Sequence, residues 1–144
     1  MSILSKIPGL KFVIFFILSC SLAHAAGSPL FQSLSPDTAD LNPYRWHNRP
    51  LVIFAPSNHD AAYVEQMAML EKNKTALAER DIIVLTDTSP SDKGQLRRQL
   101  NPKGFEVVLV GKDGGMKVRE TTPLNTEVLF STIDQMPMRK AKLD

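Results

Sequence analysis

The sequence predicts an α/β domain in which a mixed central sheet carries helices on both faces. Three observations predict it. Residues 50–55 (PLVIFA) and 81–87 (DIIVLTD) are continuous apolar runs of strand length, and the stretch between them repeats apolar residues at helical spacing. Residues 105–120 form a third apolar run that turns back through Lys112-Asp113-Gly114-Gly115. A last stretch, 123–136, again spaces its apolar residues as a helix does. Two strands joined by a helix pair in parallel through a right-handed crossover, and the hairpin adds an antiparallel pair to the same sheet.

In chain order, the first element stands outside that domain. Lys6 and Lys11 lead into FVIFFILSC and the small-residue pattern Ala23-His24-Ala25. Together they read as a secretory signal peptide, residues 1–25, cut after Ala25. The apolar run falls short of the ~20 residues that span a bilayer, so no transmembrane span is expected in the mature chain. Ile17-Leu18-Ser19-Cys20 also resembles the site at which bacterial lipoproteins are cut and lipidated on cysteine. Leu18 before the small residue fits that pattern poorly, and this alternative ranks second. The expected location is periplasmic or secreted.

Removing the segment changes two readings. Of 17 Lys and Arg, two leave with it, so 15 face 15 Asp and Glu. A balanced surface removes the argument for a nucleic-acid partner. Cys20 is the one cysteine, so ordinary cleavage leaves none, and the core must hold by packing without a disulfide. What remains is long enough for one domain.

Residues 26–43 are rich in Ser, Pro and Asp and show no sustained period, which predicts a flexible N-terminal segment ahead of a domain spanning 44–140. The run 50–55 lies between Pro50 and Pro56 and reads as a strand buried on both faces. Residues 60–80 place Tyr63, Met67, Leu70 and Leu77 on one helical stripe, interrupted by Lys74, whose stem would lie along the apolar face. Ser89-Pro90-Ser91-Asp92 carries N-cap chemistry and predicts a short helix to about Leu100. In the last helix Leu129, Ile133 and Met136 share a face. Trp46, an aromatic just before a core strand, is expected to pack over the sheet edge. Asn73-Lys74-Thr75 matches a glycosylation acceptor but falls within the expected helix, and is set aside.

This element order resembles the thioredoxin fold. Three stretches carry a closer resemblance: Tyr44-Arg45-Trp46-His47-Asn48-Arg49-Pro50-Leu51 running into IFAPS, the run from Gly104-Phe105 to Gly114-Gly115, and Ile133-Asp134-Gln135-Met136-Pro137-Met138-Arg139. They are similar to a thioredoxin-like domain-of-unknown-function family, the DUDES-type domain. It is a family of small secreted bacterial proteins, found also in animal extracellular proteins such as Equarin and the sushi-repeat proteins. The resemblance covers roughly residues 40–140 and implies a fold and a secreted setting, with no settled activity. In redox-active thioredoxins the first strand leads to Cys-x-x-Cys. Here that place holds Asn58-His59-Asp60-Ala61, and Gly104-Phe105 stands where a proline usually precedes the hairpin. Disulfide exchange needs an attacking thiolate, so dithiol oxidoreductase activity is excluded.

The candidate site is Ser57-Asn58-His59-Asp60, at the junction of the first core strand and its helix. One reading is a capping box, in which Ser57 accepts the Asp60 N–H and the Asp60 carboxylate returns to the Ser57 N–H. The other is a small-anion or carboxylate site, with helix N–H groups and His59 as donors, and Arg49, or Arg97 and Arg98, within reach. Catalysis by Ser57, His59 and Asp60 is disfavoured, because sequence neighbours seldom reach triad geometry and Gly-x-Ser-x-Gly is absent. No catalytic residue is assigned. His47 and His59 show no metal-ligand spacing, and Asp113-Gly114-Gly115 reads as turn chemistry, so neither metal nor cofactor is expected. The sequence therefore points to a binding or interaction module. Its partner would be an envelope or extracellular protein, or a small anionic ligand. A cysteine-free enzyme using His59 and a purely structural envelope component are the alternatives.

Overall fold

The computed structural model describes residues 29–142; the expected signal peptide and Cys20 lie outside the described residues. Ten elements follow in order: β1 (Phe31–Ser33), β2 (Arg49–Phe54), α1 (Ala61–Glu71), α2 (Lys74–Glu79), β3 (Ile82–Asp87), α3 (Gln95–Leu100), β4 (Glu106–Val110), β5 (Met116–Glu120), α4 (Thr126–Asp134) and α5 (Pro137–Lys140). They build a mixed five-stranded sheet in the order β1-β3-β2-β4-β5. β3 runs parallel to both β1 and β2, while β4 is antiparallel to β2 and β5. Helices lie on both faces, as the sequence predicts.

Strand alternation explains the two cores. Leu51, Ile53, Val84, Val107 and Leu109 face one way and meet Leu70 of α1, Leu77 of α2 and Leu129 and Ile133 of α4. Val52, Phe54, Ile83, Leu85, Val108 and Val110 face the other way, where Leu96 of α3 and the half-buried Leu34, Leu41, Tyr44 and Leu100 cover them. Every residue of β2 is buried, which is why its sequence reads as one apolar run. Burying such a side chain contributes about 1.5–3 kcal/mol each. The second face has thinner cover, since α3 has six residues and the rest is loop 34–48 with its 3-10 turn Asn42–Tyr44.

Four expectations are corrected. Residues 31–33, inside the segment read as flexible, form β1 on the edge of β3, with Phe31 packed against the first core. The long helix of 60–80 is two helices: Asn73 leaves helical geometry at φ −125°, and its amide donates to the Met69 carbonyl at 2.8 Å. Asparagine competes with the helix backbone in this way, and the glycosylation-type triplet therefore sits at a helix break. Lys74 stays exposed, paired with Glu71 at 3.0 Å and lying 6.0 Å over the Phe31 ring. The third helix begins at Gln95, because Pro90–Asp92 is a 3-10 turn closed by Lys93 at φ 50°. Trp46, expected to pack on the sheet edge, is 57% exposed.

Candidate functional site

The β2–α1 junction follows from β2 running out at Phe54 and Ala55, both fully buried, into the exposed Pro56. The expected capping box is corrected here. Ser57 is not the cap; its Oγ accepts the His59 N–H at 3.2 Å, closing a short turn. Asp60 is the cap. Its Oδ2 accepts the Tyr63 N–H at 3.1 Å, and its carbonyl accepts the Val64 N–H at 2.9 Å. Ser57 and Asp60 are half-buried, whereas Asn58 and His59 are exposed. The side chains of Ser57, His59 and Asp60 bond to backbone groups or to none of the described residues, and not to one another.

The structure separates Arg49 from this turn. Arg49 opens β2, is 1% exposed, and donates from Nη1 to the Arg80 carbonyl at 2.8 Å. β2 alone holds it roughly 16 Å from the tetrapeptide. Arg98 is exposed on α3. Arg97 is the arginine that reaches the junction. Its Nη2 donates to the carbonyls of Asp87 at 2.9 Å and Ala55 at 3.2 Å, its Nε to Asp87 Oδ2 at 3.0 Å, and its guanidinium lies 5.3 Å from the Phe54 ring centroid. Through Nε and Nη2 it closes the ends of two strands.

Sequence reading missed two features beside the junction. Asp87, Phe54 and Glu106 stand side by side across β3, β2 and β4. Asp87 pairs with Arg97, and the buried Glu106 pairs with Arg119 of β5. A carboxylate at the head of the apolar run FEVVLV was the available signal, though nothing in the sequence names its partner. The second is Gln66, fully buried in α1. Its amide donates to the Leu124 carbonyl at 3.1 Å and accepts the Leu124 N–H at 2.7 Å, fastening the approach to α4 onto α1. A glutamine in an apolar helical stripe is the trace it leaves in the sequence.

Elsewhere, a groove of about 390 Å³ borders β1 and β3 and includes Ser33, Ser35, Thr88, Ser89 and Asp92. Among the described residues, no group of three or more His, Cys, Asp or Glu is arranged to hold a metal ion. No helix among them is long and apolar enough to cross a membrane.

Residues 40–142 match the model of the domain of unknown function DUF4174. The chain belongs to this family. It is 26% identical to coiled-coil domain-containing protein 80 of Danio rerio, a match that takes in 72% of this chain and 15% of that protein. Among solved structures it resembles thioredoxin-2 of the malaria parasite, with TM-score 0.52 and 17% identity, over 62% of this chain and 84% of that one. It also resembles the reduced 2-Cys peroxiredoxin of Plasmodium vivax, with TM-score 0.54 and 12% identity, over 70% and 84% of the two chains. These likenesses show the thioredoxin-like fold of this family member. Its single cysteine, Cys20, makes no redox pair.

Proposed function

We propose that this chain is an exported thioredoxin-like domain that works by binding, with Asn58 and His59 presented to an envelope or extracellular protein or to a small anionic ligand. One observation carries the reading. Asp60 caps α1 and Ser57 closes the turn before it, so helix formation accounts for both. It does not account for Asn58 and His59, which the turn holds exposed at the end of a buried strand. Rigid scaffolds with polar side chains fixed at a strand-to-helix junction suit recognition. The basic start, apolar run and Ala23-His24-Ala25 pattern support export.

The test is a thermal-shift screen of residues 26–144 against phosphate, sulfate, citrate and a panel of small carboxylates, run on wild type and two variants. Asp60→Ala is expected to lower Tm by roughly 4–8 °C, the equivalent of the ~1 kcal/mol that a cap contributes. Asn58→Ala/His59→Ala is expected to keep its Tm and to lose the stabilisation that wild type shows with a bound compound. No shift from any compound would remove the anion reading. The intact mass of protein recovered outside the cytoplasm tests export, with Ala26 the expected first residue.

A further inference from the structure

Trp46 holds a left-handed backbone, φ 69°, with its side chain 57% exposed. A bulky residue adopts that conformation only where its surroundings impose it. The imposing contact is the Trp46 N–H, which donates to the Lys112 carbonyl at 2.7 Å and fastens residue 46 to the β4–β5 turn. The chain's one tryptophan is thus kept out of both cores, where an indole contributes most to stability.

Arg45 lies against it, the guanidinium 5.1 Å from the indole centroid. Arg45 also runs along the β4–β5 turn, where a Cβ on Gly114 would stand in ordinary contact with it at 3.6 Å. Among the described residues Arg45 has no carboxylate partner. Asp113 in the adjoining turn is held by Lys117 at 3.0 Å, and Asp40 gives one oxygen to the Asn42 N–H at 2.9 Å. Beside the pair runs a groove of about 250 Å³ in which Leu41, Leu96, Leu100, Val108, Val110 and Met116 meet. It exists because the short α3 leaves this face thinly covered towards β5. Arg45 and Asp40 border it, and Met116 on its wall is 49% exposed.

We propose that Arg45, Trp46 and this groove form a docking site for an extended segment of a partner protein. An apolar side chain of the segment enters the groove, and an Asp or Glu two residues away, on the same face of the segment, meets Arg45. Tryptophan, arginine and methionine are the residue types enriched at interface centres. Arg45, which no described carboxylate pairs, sets the sign of the partner, since the Asp40 carboxylate on the same rim is turned to the Asn42 N–H. The surface lies at the amino end of β2, away from Ser57–Asp60, and stands independently of the function proposed for that turn.

The probe is a panel of labelled decapeptides, each with Leu or Phe two residues from an Asp or Glu, and a matched panel with Lys replacing the acid. Binding is read by fluorescence anisotropy, and for the wild type also by the emission of Trp46. Glycine accepts a positive φ without strain, so Trp46→Gly removes the indole and keeps the fold, as an unchanged or raised Tm verifies. The acidic panel is expected to bind and to shift Trp46 emission to the blue. Trp46→Gly is expected to weaken binding about tenfold or more, and Arg45→Glu to transfer preference to the Lys panel. Equal binding of the two panels, unchanged binding by Trp46→Gly, or no binding at about 1 mM peptide would each overturn the proposal. So would a dimer in sedimentation that Trp46→Gly dissociates, which would make a second copy of the chain the occupant.

Discussion

At each end of β2 an arginine is taken out of water and held by backbone carbonyls. Arg49 is held by Arg80 at the amino end, and Arg97 by Ala55 and Asp87 at the carboxyl end. The outer surfaces of the two ends differ. The carboxyl end is closed by paired charge, Asp87 with Arg97 and Glu106 with Arg119, and shows solvent the small polar side chains Asn58 and His59. The amino end shows a tryptophan, a stacked arginine and an apolar groove. At the place where redox-active thioredoxins carry Cys-x-x-Cys this chain has the Asp60 cap, and two ion pairs seal the strand ends behind it while Asn58 and His59 stay outside. Its large apolar contact area lies at the other end.

The sealing is the part most easily broken. The Arg97 and Asp87 side chains are 12% and 10% exposed, so Arg97→Ala leaves a nearly dry carboxylate with no counter-charge and only the Ser89 N–H, at 3.0 Å, to hold it. It is expected to cost about 3–5 kcal/mol, measured by urea denaturation. A loss below 1 kcal/mol would mean that the carboxyl end is not held by charge, and the contrast between the ends would lapse. Gln66→Leu asks the same of the helix layer. It strands the buried N–H and C=O of Leu124 and should cost about 2–4 kcal/mol in the same assay.

The smallest effect is at the amino end, where charge is wetter. Arg80 hydrogen-bonds both oxygens of Asp134 at 3.0 and 2.9 Å, and Arg139 adds a nearby positive charge. Hydrogen bonding from Arg80 is the main reason the Asp134 carboxyl titrates below its ordinary 3.8. A lowered carboxylate pKa stabilises the fold above 3.8, and that contribution is lost as pH falls through the lowered value. Asp134→Asn should therefore flatten part of the acid limb of Tm against pH. At pH 7 it should cost under about 1 kcal/mol, because Asp134 is 46% exposed. A larger loss at pH 7 would show this end to be as tightly locked as the other.

Much of this was legible in the sequence because the signals are local. PLVIFA and DIIVLTD lie on central strands, and strands buried on both faces have no polar positions to interrupt them. The Asp113-Gly114-Gly115 turn was legible because Gly114 supplies a positive φ. Helix ends were less so. Ser57 and Asp60 are both good caps, and the choice between them rests on where Ser57 Oγ turns. β1 was hidden because a three-residue edge strand needs no pattern of its own; β3 supplies the template.

By itself the sequence determined the fold class, the absence of a dithiol and the end of β2 at a polar junction, all of which depend on residue type and spacing along one segment. Only the tertiary structure decided which arginine reaches that junction, that Gln66 is fastened to Leu124, and that Trp46 faces out. Each of these depends on groups 10 to 66 residues apart, and the direction of a side chain across that distance is set by the register of strands and the packing of helices on them.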